Sequence, residues 1–344
     1  MKKVAMFTLC SGLLLTVASG AIAKDLRVVG SWNSLTMFKN FEQPFWTETV
    51  PAAMPDVTVE MTSLGQVNLN GPAVLRQMDM GVFDVVHTVA DYVVADSPVL
   101  AGLDMPALAP EIEQARDVVD AYRPIVAETL ARDFNAKLLA IAPYPAQVIF
   151  CKGAVAGLDD LKGKKIRASG WTTSEFVTAL GATGVTMSFS EVPQSLQRGV
   201  VDCAITGSLS GYSAGWGEVA DHIYPLPVGG WDYVITSMSM KTWESFSESE
   251  QQQLQTLITA ELEEPAWQVT AEETIAGVDC LTGKQCGHGE PNDLTLVPVS
   301  DNDLQRAQQV LVDNVLPAWA AKVSPADVAE WNETAGKQAG IQIK

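Results

Sequence analysis

The sequence predicts an α/β fold with two lobes, each a mostly parallel sheet flanked by helices, and long helices toward the C-terminus. Short runs of β-branched residues alternate with amphipathic segments, which is typical of parallel α/β units rather than of a sandwich or a helical bundle. The chain has 344 residues, 47% of them hydrophobic. At roughly 100 to 200 residues per domain, this length predicts two lobes.

The first lobe is predicted from early β-branched runs and the amphipathic segments between them. Strands are expected at Leu26–Val29, Val57–Met61, Phe83–Val86 and Lys137–Ala142, and helices at Phe45–Val50, Pro72–Met80 and Ile112–Arg132. The second lobe follows, with strands at Lys165–Ala168, Val185–Met187 and Asp202–Thr206, and helices at Thr173–Leu180 and Val192–Arg198. Gly199 is a natural helix stop after Arg198.

The later part of the chain predicts another strand and two helix starts. Val234–Met240 is expected to be a strand, and Ser247 with Glu250 forms a capping box before a long helix that we expect to kink at Pro265. Ser324 and Pro325 open a helix near the C-terminus. We expect residues 24–148 and about 238–280 to form the first lobe, and residues 149–237 and about 281–344 the second.

The N-terminus has the pattern of a secretory signal. Lys2 and Lys3 precede an apolar run, and Ala21, Ile22 and Ala23 supply the small residues of a signal-peptidase site. We predict cleavage after Ala23 and export to the periplasm. Cys10 lies inside the apolar run without a lipobox, which argues against a lipid anchor, and no later stretch reaches about 18 uninterrupted apolar residues.

Charge excludes one class of partner. The formal net charge is −19, and the longest basic cluster is the short segment 162–167. A nucleic-acid-binding protein needs a clustered basic surface that displaces phosphate counterions, so we expect no nucleic-acid partner.

Four cysteines remain after the predicted cleavage, and an exported chain favours their pairing. Cys280 and Cys286 bracket a short polar loop and are the most plausible pair, while Cys151 and Cys203 either pair or stay buried as thiols. A zinc site that recruits His288 is the alternative, but Cys-x5-Cys-x-His supplies three ligands at an unusual spacing, so we expect no metal.

A candidate anion site follows the strand at Lys165–Ala168. Ser169 and Gly170 turn the chain, and Thr172 to Glu175 has the pattern of a capped helix start. Arg167 would then point from a strand end toward a helix N-terminus, where unpaired N–H groups favour negative charge and the guanidinium can bind a carboxylate through two hydrogen bonds. The alternative is an Arg in a solvated basic patch with Lys164 and Lys165.

The residues around this site resemble a known family. Gly157 to Arg167 resembles the "DLKG-K-IR" segment of the solute-binding proteins of tripartite ATP-independent periplasmic (TRAP) transporters, and Ala179 to Ala182 and Glu191 to Asp202 are similar to that family's "LGA" and "E-V-ALQRGVVD" segments. Leu75 to Asp84, Trp243 and Gln251 to Leu254 resemble it more loosely.

The resemblance implies a two-lobed periplasmic clamp that closes on a small organic acid and delivers it to a small and a large membrane subunit for sodium-coupled uptake. It also implies that Arg167 pairs the ligand carboxylate. Two asparagines expected from the family are replaced by Thr206 and Met240. The carboxylate anchor is therefore expected, whereas the rest of the ligand is not specified.

Other candidate ligand contacts come from the residue types in predicted loops. Tryptophans near Arg167 favour an aromatic-walled pocket for a compact acid, with hydroxyl contacts, and loops after the first-lobe strands supply the opposite wall. The candidates are Trp171, Trp216, Trp231, Thr206, Ser208 and Ser210 in the second lobe, and Trp32, Asn33, Gln66, His87, Thr88 and Gln147 in the first. Each of them has a structural alternative, as a packing or hydrogen-bonded core residue.

Two other functional classes remain as alternatives. Gly211 to Gly215 fits G-x-S-x-G, so a hydrolase with Ser213 as its nucleophile is conceivable, although a Gly/Ser-rich stretch separates Ser213 from the predicted strand. The binding protein of an ATP-driven importer would share the clamp and the compartment, and neighbouring transporter genes would discriminate it. No P-loop, G-x-G-x-x-G or H-E-x-x-H motif occurs, so we expect a binding protein without a cofactor.

Overall fold

A computed structural model describes residues 23–67, 69 and 71–344 of the chain. The predicted signal peptide and Cys10 lie outside the described residues, except for the exposed Ala23 at the predicted cleavage site. None of the described helices combines the length and the apolar character needed to cross a membrane.

The first sheet has five strands in the order β2-β1-β3-β10-β4. Four of them run parallel, and β10 runs antiparallel between β3 and β4. The predicted strands are all present, with bounds that shift by a few residues. The strands are β1 (Lys24–Gly30), β2 (Val57–Ser63), β3 (Val85–Val89), β4 (Ala136–Ala142) and β10 (Val234–Ser239).

The second sheet has six strands in the order β11-β9-β5-β8-β6-β7, with β5 antiparallel to both of its neighbours. The three strands predicted for this lobe are present, and β5, β9 and β11 are additional. The strands are β5 (Gln147–Cys151), β6 (Lys165–Ala168), β7 (Thr183–Thr186), β8 (Cys203–Gly207), β9 (His222–Tyr224) and β11 (Thr295–Leu296). Two sheets flanked by helices confirm the predicted fold class.

Helices cover both sheets. They are α1 (Val50–Ala53), α2 (Leu64–Val67), α3 (Gly71–Asp79), α4 (Ile112–Phe134), α5 (Trp171–Ala179), α6 (Val192–Arg198), α7 (Ser208–Ser213), α8 (Met240–Glu244), α9 (Glu248–Ile258), α10 (Glu264–Leu281), α11 (Asp301–Val310), α12 (Leu316–Ala320), α13 (Pro325–Glu333) and α14 (Ala335–Ala339). Wider π-type turns occupy Met37–Glu42, Phe45–Thr49, Thr259–Glu263 and Leu311–Val315. Short 3₁₀ segments lie at Ala90–Val93, Pro98–Leu103, Leu158–Leu161, Phe189–Glu191 and Trp216–Glu218.

Local signals in the sequence set several helix ends. The Ser247 hydroxyl accepts from the Glu250 N–H, as the predicted capping box requires. Ser324 opens α13 as predicted, and its hydroxyl accepts from the Asp327 N–H in the same way. Gly199 ends α6 with a φ of 69°, which is the left-handed conformation that glycine favours. Pro265 lies in the first turn of α10, directly after a π-type turn, so the expected kink is a change of helix type at that point.

α10 touches both lobes. In its first half the Trp267 indole N–H donates to the Ile141 carbonyl of the first sheet, at 2.8 Å. In its second half it packs on α7, and a Cβ at Gly277 would lie 2.2 Å from the backbone nitrogen of Leu209. α10 therefore connects the lobes through its packing. The chain itself also crosses from one sheet to the other three times, after β4, β9 and β10.

The C-terminal helices pack mainly against the first lobe. The indole N–H groups of Trp319 and Trp331 donate to the carbonyls of Pro98 and Gly102, and α14 packs on α4. The turn Leu311–Val315 contacts α5 of the second lobe. The assignment of residues 281–344 to the second lobe stays a prediction that these contacts do not favour.

Both cysteine pairs form disulfides. Cys151 and Cys203 lie opposite each other on β5 and β8, and Cys280 and Cys286 close the loop after α10. The favoured pair is confirmed, and the open choice for Cys151 and Cys203 resolves to a disulfide.

Candidate ligand-binding site

A cleft of about 590 Å³ lies between loops of the two lobes. The first-lobe wall comes from segments that follow β1, β2 and β3, and the second-lobe wall from segments that follow β6 and β7. These are the carboxyl ends of parallel strands, where α/β proteins place ligand sites. The lining residues are Trp32, Leu64, Gly65, Leu69, Asp91, Tyr92, Ala95, Ser169, Gly170, Trp171, Ser174, Thr186, Met187, Ser188, Phe189, Ser190 and Glu191.

Arg167 lies buried behind the second-lobe wall, with 1% of its surface exposed. Its Nη1 donates to the Ile205 carbonyl at 2.7 Å and its Nε to the Met187 carbonyl at 3.3 Å. Nη2 has no hydrogen-bond partner within the described part of the chain. The predicted alternative, a solvated basic patch, is wrong, because β6 is flanked by β7 and β8 and turns this side chain inward.

The N-terminus of α5 is capped from the other lobe. The Oδ1 atom of Asp91 accepts from the Thr172 N–H at 3.3 Å, and a Cβ at Gly170 would lie 2.3 Å from Oδ2 of Asp91. The expected cap from the segment's own side chains is wrong, because no local side chain caps this helix. Burial raises the pKa of Asp91 to about 6, against the hydrogen bonds from Thr172 and the positive charge of Arg167.

Two more buried carboxyl groups lie near this contact. Asp232 has a φ of 49°, and burial together with the negative charge of Asp91 raises its pKa to about 7, which Arg167 and Ser169 oppose. Asp104 accepts from the backbone N–H groups of Trp231 and Asp232 at 3.1 and 2.6 Å. Burial, followed by the charge of Asp232, raises its pKa well above the usual range. No local pattern in the sequence marks these acids, because their loops meet only in the fold.

An aromatic cluster forms one side of the cleft. The Trp32 ring centroid lies 5.8 Å from that of Tyr92 and 5.4 Å from that of Phe189, so the cluster joins the two lobes. Trp171 also lines the cleft, as the first residue of α5 rather than in the predicted loop. Burial raises the pKa of the Tyr92 hydroxyl well above its usual range, and the positive charge of Arg167 opposes this rise.

The other candidate tryptophans lie behind the cleft. Trp216 is fully buried against Phe150 and Phe189, and its ring centroid lies 5.7 Å from the guanidinium carbon of Arg167. The Trp231 indole N–H donates to the Ala109 carbonyl at 2.8 Å. Both are packing residues in this structure, so their contact with a ligand stays a prediction.

The polar second-lobe candidates lie on β5, β8 and α7. Gln147 is buried, its Nε2 donates to the Pro145 carbonyl at 3.0 Å, and its Oε1 has no partner among the described residues. The Ser208 hydroxyl donates to the Thr274 carbonyl of α10 at 2.7 Å. Thr206 and Ser210 are buried next to them. None of these four is a lining residue of the cleft, although β8 carries the carbonyl that Arg167 contacts.

His87 lies in the middle of β3 rather than after it. Its Nε2 accepts from the Trp46 indole N–H at 2.7 Å, which leaves the proton on Nδ1, 3.0 Å from the Thr236 hydroxyl oxygen and 3.4 Å from Glu42 Oε1. Burial lowers the pKa of His87 to about 3 and raises that of Glu42 to about 7, so His87 is neutral. His87 therefore links β3 to Trp46 and to β10 inside the first lobe, and it is not a lining residue of the cleft.

The remaining first-lobe candidates lie around the cleft wall. Thr88 is buried on β3, and Asn33 is exposed beside Gly65, a lining residue. The exposed Gln66 accepts from the Ser63 backbone N–H through Oε1, at 3.0 Å. Of the first-lobe candidates, Trp32 alone belongs to the described lining.

The features behind the alternative chemistries have structural explanations. Ser213 is the last residue of α7, and this helix follows β8 directly where we expected an irregular stretch, so the strand–turn geometry of a nucleophile elbow is absent there. Cys280 and Cys286 are bonded to each other, which removes them as zinc ligands beside His288. The described residues contain no group of three or more metal-ligating side chains.

Comparisons with known proteins agree with this architecture. A sequence model described as "Bacterial extracellular solute-binding protein, family 7" (DctP) matches residues 56–283. The uncharacterized protein YiiZ of Salmonella typhimurium is 28% identical over 230 residues, and the match covers 64% of this chain and 68% of that protein.

Solved structures of TRAP solute-binding proteins share the fold over nearly the whole chain. A protein from Desulfovibrio salexigens, with bound orotic acid, superposes with a TM-score of 0.82 at 15% identity and covers 92% of this chain and 98% of its own. The Bordetella pertussis receptor DctP7, which binds pyroglutamic acid, superposes with a TM-score of 0.79 at 21% identity and covers 91% and 99%.

The family match spans well over half of the chain, and these relatives are transport components without enzymatic activity. The chain therefore belongs to family 7 of the bacterial extracellular solute-binding proteins, the DctP family of TRAP transporters.

Proposed function

We propose that this protein captures a small organic acid in the periplasm, with Arg167 as the carboxylate anchor, and delivers it to TRAP membrane subunits for sodium-coupled uptake. The observation that carries the proposal is the buried guanidinium of Arg167, whose Nη2 has no hydrogen-bond partner among the described residues. The signal pattern at the N-terminus supports export.

A buried cation needs an opposite charge beside it, because its transfer from water into the protein interior costs on the order of several kcal/mol. Arg167 forms no salt bridge within the described part of the chain, and its hydrogen bonds go to two neutral carbonyls. A ligand carboxylate supplies the missing charge and accepts from the remaining N–H groups. Nearby carboxyl groups at Asp91 and Asp232 compensate the cation only at longer range.

The shape of the cleft favours a compact acid. A volume of about 590 Å³ lies within the range of small-molecule sites, roughly 300 to 1,000 Å³. Trp32, Tyr92, Trp171 and Phe189 supply flat apolar walls, which suit a cyclic or aromatic body. Pyroglutamic and orotic acids, bound by two relatives of the same fold, are small cyclic carboxylates and support this class.

Closure of the two lobes gives the capture step. Because the walls of the cleft come from different lobes, a relative rotation of the lobes opens it and a return rotation excludes water from the ligand. Exclusion of water strengthens the ion pair with Arg167. The chain passages between the sheets and the bridging helix α10 restrict the motion to a hinge.

Replacement of Arg167 tests the proposal. Truncation of a buried charged partner costs roughly 2 to 5 kcal/mol, so Arg167→Ala should weaken binding at least about thirtyfold. Arg167→Lys should recover part of this loss, because it keeps the charge but not the planar fork. Affinity is measured by calorimetry with the best acid from a thermal-shift screen of carboxylates, on protein stripped of ligand by unfolding and refolding.

Arg198→Ala is the matched control, since Arg198 is exposed at the end of α6 in the same lobe and should leave the affinity unchanged. Unchanged affinity in Arg167→Ala, with the control also unchanged, would mean that the ligand is not held by this guanidinium.

A further inference from the structure

Asp91 brings a second charge into the cleft from the first lobe. Asp91 is 5% exposed and belongs to the cleft lining. Oδ1 accepts from the Thr172 N–H, whereas Oδ2 has no hydrogen-bond partner among the described residues. The carboxylate lies against Gly170, three residues after Arg167, so the cation and this anion flank one turn of the second lobe.

The charges around the cleft do not suit a simple anion. The charged lining residues are Asp91 and Glu191, and both are acidic. Asp232 lies close enough to Asp91 that the negative charge of Asp91 helps to raise the pKa of Asp232. Lys322 lies 5.1 Å from the Trp171 ring centroid but is exposed. A bare carboxylate at Arg167 would leave Asp91 uncompensated in a closed cleft, which is costly for a buried charge.

We propose that the ligand is a zwitterion, in which a carboxylate pairs with Arg167 and a cationic N–H group donates to Oδ2 of Asp91. This inference rests on the proposed function and narrows its ligand class. A zwitterion compensates both buried groups at once and leaves the net charge of the cleft unchanged. An ammonium or amidinium group fits this role, because a carboxylate accepts strong charge-assisted hydrogen bonds from either.

Two further features of the molecule agree with a cationic group. The Trp32 and Tyr92 rings border the cleft beside Asp91, and aromatic faces attract cations within about 6 Å of their centroids. The formal net charge of −19 opposes the approach of an anion but not that of a neutral zwitterion. The pKa of Asp91, about 6, leaves its carboxyl group ionised at neutral pH.

Matched ligand pairs test the inference on the full chain. Each pair shares a skeleton and differs in the cationic nitrogen: proline and cyclopentanecarboxylate, pipecolate and cyclohexanecarboxylate, and phenylalanine and 3-phenylpropionate. We expect the best zwitterion to bind at least about tenfold more tightly than its partner in the wild-type protein, as measured by calorimetry. This preference should fall below about threefold in Asp91→Asn, which keeps an acceptor for the Thr172 N–H.

Asp117→Asn is the control, because it makes the same change of charge at an exposed position of α4 in the first lobe, outside the cleft lining, and it should keep the full preference. Asp91→Ser is a second variant without a carboxylate, and thermal melts establish that each variant is folded. Equal affinity within the pairs, no binding of any zwitterion, or a preference that survives both Asp91 variants would overturn the inference. If simple carboxylates still bind and depend on Arg167, the zwitterion inference fails but the proposed function holds. If binding does not depend on Arg167, the role proposed for Arg167 fails as well.

Discussion

Gly170 is the residue at which the backbone of the second lobe meets the side chain of Asp91. A Cβ at this position would lie 2.3 Å from Oδ2 of Asp91 and 2.7 Å from its backbone oxygen. Real contacts are never this short, and the backbone oxygen cannot rotate away. The closed arrangement of the lobes therefore depends on the absence of a side chain at Gly170.

Gly170→Ala should weaken ligand binding by about tenfold, because the added methyl group keeps the lobes apart and reduces the population of the binding-competent closed form. The backbone at Gly170 has a φ of −152°, which alanine adopts readily, so the fold itself should be retained. Calorimetry gives the affinity, and small-angle scattering should show a more open protein. Gly157→Ala is the control, since its Cβ would meet its nearest atom, in Asp303, at an ordinary 3.5 Å. Equal affinities of the two variants would show that this contact does not limit closure.

Among single residues, the sequence predicts those whose role follows from one continuous segment, and it does not reveal those that contact the other lobe. Arg167 could be found because its strand, the following turn and the helix start lie within one segment. Asp91 lies 81 residues before Thr172, the donor that it contacts, so no local pattern joins them. His87 was expected in a loop because the predicted strand ended at Val86, whereas β3 continues to Val89.

The two disulfides constrain different elements. Cys151–Cys203 joins neighbouring strands β5 and β8 across a sequence separation of 52 residues, and β8 also pairs with β6, the strand that holds Arg167. Cys280–Cys286 closes a separation of only 6 residues after α10. A cross-link restricts the unfolded chain more when its loop is longer.

Replacement of both cysteines by alanine in each pair should reveal this difference. Loss of Cys151–Cys203 should lower the free energy of unfolding by about 4 kcal/mol, and loss of Cys280–Cys286 by about 2 kcal/mol, from the loop-closure entropy of the unfolded chain. Urea denaturation monitored by circular dichroism measures both values. A larger loss for the short loop would show that native packing around α10, rather than chain entropy, sets the contribution.

Among the elements, long or well-capped segments were predictable and short buried ones were not. α4 and α6 match their expected ranges within a few residues, because periodicity and a glycine stop define them. β9 and β11 have 3 and 2 residues, too few to show a period, and β5 is buried at every position, which hides the alternation. α7 was missed because its Ser and Gly residues are typical of loops, although α10 packs against it.

The whole molecule combines a hinge with a strongly acidic surface. The two-lobe α/β class follows from the alternation of elements, but the contacts of α10 and the C-terminal helices with both lobes depend on tertiary packing that no local signal reports. The formal net charge of −19 is a global property that the sequence gives directly. Its field acts on any charged ligand that approaches the cleft.

The salt dependence of association therefore distinguishes an anionic from a zwitterionic ligand. A monoanion is repelled at low salt, and because the Debye length shrinks from about 30 Å at 0.01 M to about 3 Å at 1 M, its association rate should rise several-fold over that range. A zwitterion has no net charge, so its rate should change by less than about twofold. Stopped-flow tryptophan fluorescence, with Trp32 and Trp171 in the cleft as reporters, measures both rates on the same protein.

For the preferred ligand we expect an association rate that hardly changes with salt, since Asp91 and Arg167 together present a dipole rather than a net positive site. A steep rise with salt for that ligand would assign it a net negative charge and would leave Asp91 without a cationic partner.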